Sequence, residues 1–353
     1  MLNQRLVGSL DDTGHACVIS QPMPELKKGC VLVKVHASLI SPGTELVNAK
    51  KVRGDKTLKP TKATPFGYQN AGEVIAVGDG VVDFKVGDRV SCIGAGFAQH
   101  ANYAVVPQRL CCLMPDNVSW EEGAYVHLVV TALQALRRSQ PEIGENLLVV
   151  GMGVVGQCAA RLGQLAGAYV MGWDFSDFRL DVAAQWGIDA TIQTKDSTDW
   201  EQKCADFTRK RGFDMAIMAF GGDGSQTLQN VAKVMKITPD THHMGRITLV
   251  GGLTTTCSWG APLGNLDLRC SARSGPGYHD AAWETGETSY PDVFVRWTTR
   301  SNMELALRYI SEKKLSVTNL TTHRLPLRDI DVAVAAHIEN PNSTLGIILL
   351  MDH

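Results

Sequence analysis

Nowhere in the sequence do about 18 apolar residues run uninterrupted, so a membrane-spanning helix is not expected. The opening stretch, MLNQRLVGSLDDTGHA, lacks the basic segment and apolar core of a secretion signal. No Cys-x-x-Cys pair occurs, and the nine cysteines, at 17, 30, 92, 111, 112, 158, 204, 257 and 270, are odd in number and scattered. That argues against a zinc finger or a disulfide framework and points to a reducing, cytoplasmic compartment. A dominant charge is missing as well. The formal net charge is −2 with both signs well mixed, so neither nucleic acid nor a membrane surface is an expected partner. Internal repeats and low-complexity tracts are also lacking.

What is present is enough chain, 353 residues, for two domains with cores of their own. Hydrophobic residues at 44% against charged residues at 20% mark a folded chain rather than a disordered one. The first third reads as β structure: Val31–His36 alternates, and Gly72–Val77, Arg89–Cys92 and Ala101–Val106 are further short strands punctuated by glycine. Such a series suggests a compact barrel or partly open sandwich. Beyond Pro115 the texture changes, and Val118–Arg138 carries helix formers behind Ser119 and Glu122, which are spaced as a capping box. From Glu145 to about Gly252 strands and helices alternate: Leu147–Val150, Val155–Ala166, Tyr169–Trp173, Arg179–Trp186, Met215–Ala219, Ser225–Val234 and Arg246–Val250. The alternation predicts right-handed βαβ units and a doubly wound parallel sheet, an α/β fold. Residues 254–300 read as irregular, Asn302–Lys313 as a helix and Thr344–Leu350 as a last buried strand.

One motif sits in the context that gives it meaning. The apolar strand Leu147–Val150 runs directly into GMGVVG over Gly151–Gly156, and a helical stretch follows. In such a G-x-G-x-x-G turn Gly151 permits the tight bend, Gly153 lets the backbone approach a pyrophosphate, and Gly156 lets the helix pack close to the strand. Val154 and Val155 open the helix whose free amides and dipole favour phosphate. The next strand ends at Asp174, 18 residues beyond Gly156, where a carboxylate can accept both ribose hydroxyls and repel a 2′-phosphate. NAD is therefore expected rather than NADP. Arg179 lies over the adenine or neutralises Asp174 or Asp177. The competing reading is a glycine-bearing turn in an α/β protein that binds no nucleotide.

At this point the chain resembles the medium-chain dehydrogenase/reductase superfamily over almost its whole length. The matching stretches are Val31–Glu45, Pro65–Gly72 (PFGYQNAG), Val86–Val90, the Gly151–Gly156 turn, Gly245–Gly252 and the C-terminal strand. The resemblance implies a GroES-like β-barrel domain, residues 1–127 completed by about 291–353, with a Rossmann domain inserted at 128–290. It also implies a cleft between the two, a homodimer or homotetramer, and a place for Val250 and Gly251 at the cofactor. Ser41–Glu45 and Gly275–Asp280 resemble a subgroup of alcohol- or sugar-dehydrogenase-like proteins.

Zinc-dependent members carry a Cys at the end of the Val31–Ile40 strand, then Gly-His-Glu, then a third ligand opening the helix that leads into the Rossmann domain. Here those positions hold Ser41, Gly67-Tyr68-Gln69 and His127, and the four-cysteine structural lobe is missing. Neutral Ser and Tyr are poor zinc ligands and one His cannot hold the ion, so no metal is expected. The step Ser41-Pro42 is similar to that of zinc-free quinone-reductase-like members. Hydride transfer to or from a carbinol carbon still develops negative charge on the substrate oxygen. The candidates for that task are Tyr68 as donor or proton relay, His127 as acid/base and Ser41 as orienting hydroxyl. Each could instead be plain packing: Tyr68 a core aromatic, His127 a satisfied helix histidine. Glu45 is a further acid in the loop, better read as the partner of a nearby base.

On the substrate side, Lys50, Lys51, Arg53, Lys56, Lys59 and Lys62 form a basic loop, either a cleft-edge attraction for an anion or a solvated surface. The turn Gly275-Pro276-Gly277 is followed by Tyr278, His279, Asp280, Arg296 and Trp297, polar aromatics that would suit a sugar or polyol. Alternatively Trp283, Tyr290 and Trp297 merely pack the segment. Three functions remain open: reversible NAD(H)-dependent oxidation of a secondary alcohol without metal, reduction of a quinone or activated alkene with NAD(P)H, and NAD binding without catalysis.

Overall fold

The computed structural model describes residues 4–60, 62–258 and 260–352. Two compact units emerge, one drawn from the chain up to Val130 and again from Ser274 onward, the other from Thr131–Arg273. The inserted unit ends earlier than the expected 290. Residues after Ser274 are tied into the first unit by backbone groups: Asn302 Nδ2 donates to Ser274 O at 2.9 Å, Thr299 N–H to Pro276 O at 2.8 Å and Gln108 Nε2 to Thr285 O at 2.7 Å.

In the first unit the strand Cys30–Leu39 is central, pairing antiparallel with Gln69–Val77, Tyr103–Pro107 and the C-terminal strand Gly346–Leu350. The sheet runs Thr321–Pro326, Gly346–Leu350, Cys30–Leu39, Gln69–Val77, Arg89–Ile93, Cys111–Leu113. Both ends of the chain therefore build it, with Ile348 opposite Leu39 and Val35 opposite Gly72. Alternation sets the register, since Val31, Val33, Val35, Ala37 and Leu39 are all wholly buried. A separate three-stranded sheet joins Gln4–Leu10 to Ala16–Pro22 and Thr64–Pro65. The capping box forms: Glu122 N–H donates to Ser119 Oγ at 3.2 Å and Ser119 N–H to Glu122 Oε2 at 2.8 Å, an arrangement that contributes about 1 kcal/mol. One long helix is not the outcome. The segment splits into Trp120–Ala124 and Val126–Ser139 at Tyr125, whose fully buried ring reaches Thr321 Oγ1 at 2.7 Å.

The second unit holds six parallel strands: β1 Asn146–Val150, β2 Tyr169–Asp174, β3 Ala190–Gln193, β4 Met215–Ala219, β5 Met244–Val250 and β6 Asn265–Ser271. Their order is β3-β2-β1-β4-β5-β6, with the helix α1, Val154–Leu165, following β1. Leu147, Leu148 and Val149 are wholly buried, as expected of a strand covered on both faces. β6 lies inside the stretch that read as irregular. It is an edge strand carrying Asp267 and Arg269, and such charges protect an edge while erasing the apolar pattern. The strand order reverses direction between β1 and β4, which opens a crevice outside their carboxyl ends. Among the described residues no helix is long and apolar enough to cross a membrane.

Candidate functional site

At the carboxyl end of β1 the glycines divide by physical role. Gly151 has φ +91°, and a Cβ there would lie 2.8 Å from Ala219 O. A Cβ on Gly156 would stand 1.8 Å from Gly151 O, so the helix could not close on the turn. Gly153 differs: its φ is −70° and nothing lies within 4 Å of a built Cβ. The fold itself does not demand glycine there; the open space suits a ligand approaching the backbone. No side chain caps α1, so its first amides, those of Val154 and Val155 among them, keep donors for an anion.

Asp174 ends β2 beside this turn. Its Oδ2 accepts the Met152 amide at 2.7 Å and its Oδ1 the Ser176 amide at 2.9 Å, and the side chain is 7% exposed. A carboxylate offers about four lone-pair sites, so two remain for a diol. Arg179 Nη1 lies 3.7 Å from Asp174 Oδ2, which favours the neutralising role over a cover for adenine. Gln157 Nε2 ties the turn together, donating to Met152 O at 3.2 Å and Arg179 O at 2.8 Å. Val250 pairs with Ala219 at the ends of β5 and β4, and Gly251, at φ +87°, turns the chain there. These residues fit a dinucleotide: amides for its pyrophosphate, an acid for its ribose.

The first unit gathers the second group. Tyr68 and His127 meet edge to face, ring centroids 4.6 Å apart, and Tyr278 meets His127 at 5.5 Å. His279 packs on Tyr278 at 4.3 Å, so three separate segments converge. His127 Nδ1 lies 3.3 Å from the Tyr68 carbonyl oxygen, which can only accept, so that nitrogen is assigned the proton and Nε2 is an acceptor. Burial pushes the imidazole pKa down to about 4, so the ring is neutral at pH 7. Tyr68 moves the other way. Burial first, then the charge of Glu45, hold its phenol well above the ordinary tyrosine range, while hydrogen bonds with the hydroxyls of Ser41 and Thr44 partly offset this. The pair thus presents one donor and one acceptor at neutral pH.

Ser41 is 5% exposed and its amide donates to Glu45 Oε2 at 3.0 Å. The base expected to pair with Glu45 is His100, with Nε2 3.1 Å from the same oxygen. Sequence reasoning missed His100, because no spacing links a loop residue to an acid 55 positions earlier. Tyr278 Oη accepts the Ala95 amide at 3.0 Å, and His279 holds φ +70°, unusual for a residue with a Cβ and common where backbone strain serves a site. Trp297 contacts Arg296, whose guanidinium sits 4.5 Å over its ring. Trp283, 3% exposed and stacked on Tyr290 at 6.0 Å, is core packing. In the basic loop Arg53 is taken by Asp331 at 2.8 Å and Glu339 at 3.2 Å, and Lys50, Lys51, Lys56, Lys59 and Lys62 are exposed.

Zinc finds no suitable ligands in this group. Gln69 spends its amide nitrogen on Leu39 O at 3.1 Å, Tyr68 resists ionisation, and His127 is a single imidazole. Among the described residues no three His, Cys, Asp or Glu side chains are grouped to hold a metal. The donors therefore do not fit the three or four thiolate, imidazole or carboxylate ligands that zinc takes.

Two family models match the chain: the alcohol dehydrogenase GroES-like domain over residues 27–132 and the zinc-binding dehydrogenase over residues 154–270. Sorbitol dehydrogenase of Mus musculus is 28% identical over 338 residues, covering 87% of this chain and 85% of its own. L-threonine 3-dehydrogenase of Photorhabdus laumondii is 28% identical over 268 residues, covering 66% of this chain and 73% of its own. Among solved structures, an Escherichia coli oxidoreductase/dehydrogenase of unknown specificity involved in membrane biogenesis superposes with a TM-score of 0.81 at 19% identity. That likeness covers 99% of this chain and 100% of the other, and it speaks to the fold. With a GroES-like unit, a Rossmann unit and both matched by sequence, the chain belongs to the medium-chain dehydrogenase/reductase superfamily.

Proposed function

We propose that this chain is an NAD(H)-dependent oxidoreductase that interconverts a secondary alcohol and a ketone by hydride transfer without zinc. Its enzyme class is the family's, an NAD(P)-dependent oxidoreductase acting on CH–OH groups. The observation that carries the metal-free reading is the Tyr68–His127 pair, a phenol that keeps its proton beside an imidazole that lacks a second one. Bound at the Gly151–Gly156 turn, NAD(H) would supply or accept the hydride. Val154 and Val155 would hold its pyrophosphate, and Asp174 its ribose, where the carboxylate favours NAD over NADP. Tyr68 would donate a hydrogen bond to the substrate oxygen as charge develops there, and His127 Nε2 would accept one and orient the substrate. Tyr278 and His279 border the same rings and would contact the rest of a small polyol or sugar. A homodimer or homotetramer in a reducing, cytoplasmic compartment fits nine free cysteines and the family.

The test is turnover of a secondary-alcohol and ketone panel by Tyr68→Phe and His127→Ala. Each should lower kcat by about 100-fold or more while NADH affinity stays within about twofold. Unchanged turnover in both variants would remove the pair from the mechanism.

A further inference from the structure

Among the buried residues of α1, otherwise glycine, valine, cysteine, alanine and leucine, stands one amide side chain, that of Gln157. It is wholly buried, and helix packing alone would be served by leucine at the same place. Its nitrogen, Nε2, lies 3.2 Å from Met152 O and 2.8 Å from Arg179 O. An amide nitrogen carries two hydrogens, so each carbonyl takes one. Both partners can only accept, which fixes the orientation of the amide. The other end, Oε1, is left buried with no hydrogen-bond partner, a desolvation cost that an apolar side chain would have avoided.

The two carbonyls belong to different parts of the nucleotide site. Met152 stands inside the glycine turn, wholly buried, with its sulfur over Gly172, where a Cβ would come within 2.9 Å of Sδ. The Met152 N–H donates to Asp174 Oδ2 at 2.7 Å. Arg179 lies in the helix Asp177–Gln185 behind the acid, and its N–H donates to Ser176 O at 3.1 Å. Ser176 N–H in turn donates to Asp174 Oδ1 at 2.9 Å. The hydrogen bonds thus close a ring, from Gln157 to Met152, Asp174, Ser176, Arg179 and back to Gln157. Opening it at Gln157 lets the turn and the Asp177–Gln185 helix shift against each other, and the carboxylate between them shifts as well.

A dinucleotide makes that spacing matter. Its phosphates and ribose hydroxyls are joined by a few covalent bonds, so the Val154 and Val155 amides and the acid at 174 are engaged together only at a matching separation. We propose that Gln157 is a positioning residue for the cofactor: it holds the glycine turn and Asp174 at the separation that one adenosine diphosphate spans, and through Asp174 it supports the preference for NAD(H) over NADP(H). This rests on the NAD(H) reading above. A ribose 2′-hydroxyl gains from a carboxylate held in place, whereas a 2′-phosphate is repelled by it. Loss of the ring therefore weakens NADH more than NADPH.

Gln157→Leu keeps the bulk and removes both donors. In fluorescence titrations its Kd for NADH should rise about tenfold and that for NADPH by no more than about twofold, narrowing the ratio between them. In an Asp174→Ala background the same substitution should change the NADH Kd by less than about twofold, because its effect passes through that carboxylate. Gly163→Ala separates positioning from lost stability. A Cβ there meets Leu147 Cδ2 at 2.5 Å in the same helix, so it should lower Tm and leave the ratio at the wild-type value. Gln157→Met carries the same cycle if Gln157→Leu fails to fold. A Gln157→Leu protein with wild-type NADH affinity, or effects of Gln157→Leu and Asp174→Ala that multiply in the double variant, overturns the positioning role and leaves the cofactor reading standing. A wild type that binds neither dinucleotide overturns both.

Discussion

Gly153→Ala separates a ligand turn from a merely tight one. At φ −70° and ψ −175° alanine fits the backbone, and the added methyl meets nothing within 4 Å. Alanine is a poorer N-cap than glycine by about 0.5–1 kcal/mol, and it gains about the same from a stiffer unfolded chain. Net stability should therefore move by less than about 0.5 kcal/mol, a shift of a degree or two in Tm at this size. Cofactor binding should not be spared. The methyl would fill the open space through which a pyrophosphate would reach the Val154 and Val155 amides. Losing one charge-assisted hydrogen bond of about 1.5–3 kcal/mol raises Kd roughly 10- to 150-fold. Gly163→Ala is the control: its Cβ meets Leu147 Cδ2 at 2.5 Å, away from the turn, so it should lower Tm and leave binding alone. The assay is NADH fluorescence titration beside a thermal melt. Unchanged NADH affinity in Gly153→Ala would mean that phosphates do not sit at this helix end.

Asp174→Ala should weaken NADH by about 10- to 100-fold and NADPH far less, narrowing the ratio measured by paired titrations, because the acceptor for the ribose hydroxyls is gone. An unchanged ratio would take Asp174 out of cofactor selection. His127 sets an acid limit on stability. Its folded pKa of about 4 lies below the unfolded 6.5, so the unfolded chain takes up the proton first and stability is lost as pH falls from 6.5 towards 4. The full loss is about 3 kcal/mol, present above pH 6.5 as intact stability and absent below pH 4. His127→Gln should flatten that part of a Tm-against-pH curve, and a slope equal to wild type would show the ring is not buried neutral.

The nucleotide-binding unit was legible where geometry is local. An apolar strand, a glycine turn, a helix and an acid follow one another within 28 residues from Leu147 to Asp174, and each is dictated by its neighbours. β6 was not legible, since an edge strand needs only a thin apolar face and Asn265, Asp267 and Arg269 hide it. The boundary near 274 was missed for a related reason: Ser274, Pro276 and Thr285 join the first unit through carbonyl oxygens, which no side-chain pattern records. At the candidate catalytic cluster Tyr68, His127 and Ser41 could be placed only by likeness to relatives. That Tyr68 touches His127 and His127 touches Tyr278 depends on contacts across 59 and 151 positions. His100 is the clearest case. Nothing in the stretch around it signals a base, and its meaning comes from Glu45 alone.

The proposed reaction is hydride transfer on an alcohol with no metal at the reacting oxygen. Purified protein treated with a strong chelator, assayed for zinc by mass spectrometry and then for NADH formation on a polyol and secondary-alcohol panel, tests it directly. Full activity at a zinc content far below one ion per chain is the expected result. Activity that disappears with the metal and returns when zinc is restored would contradict it.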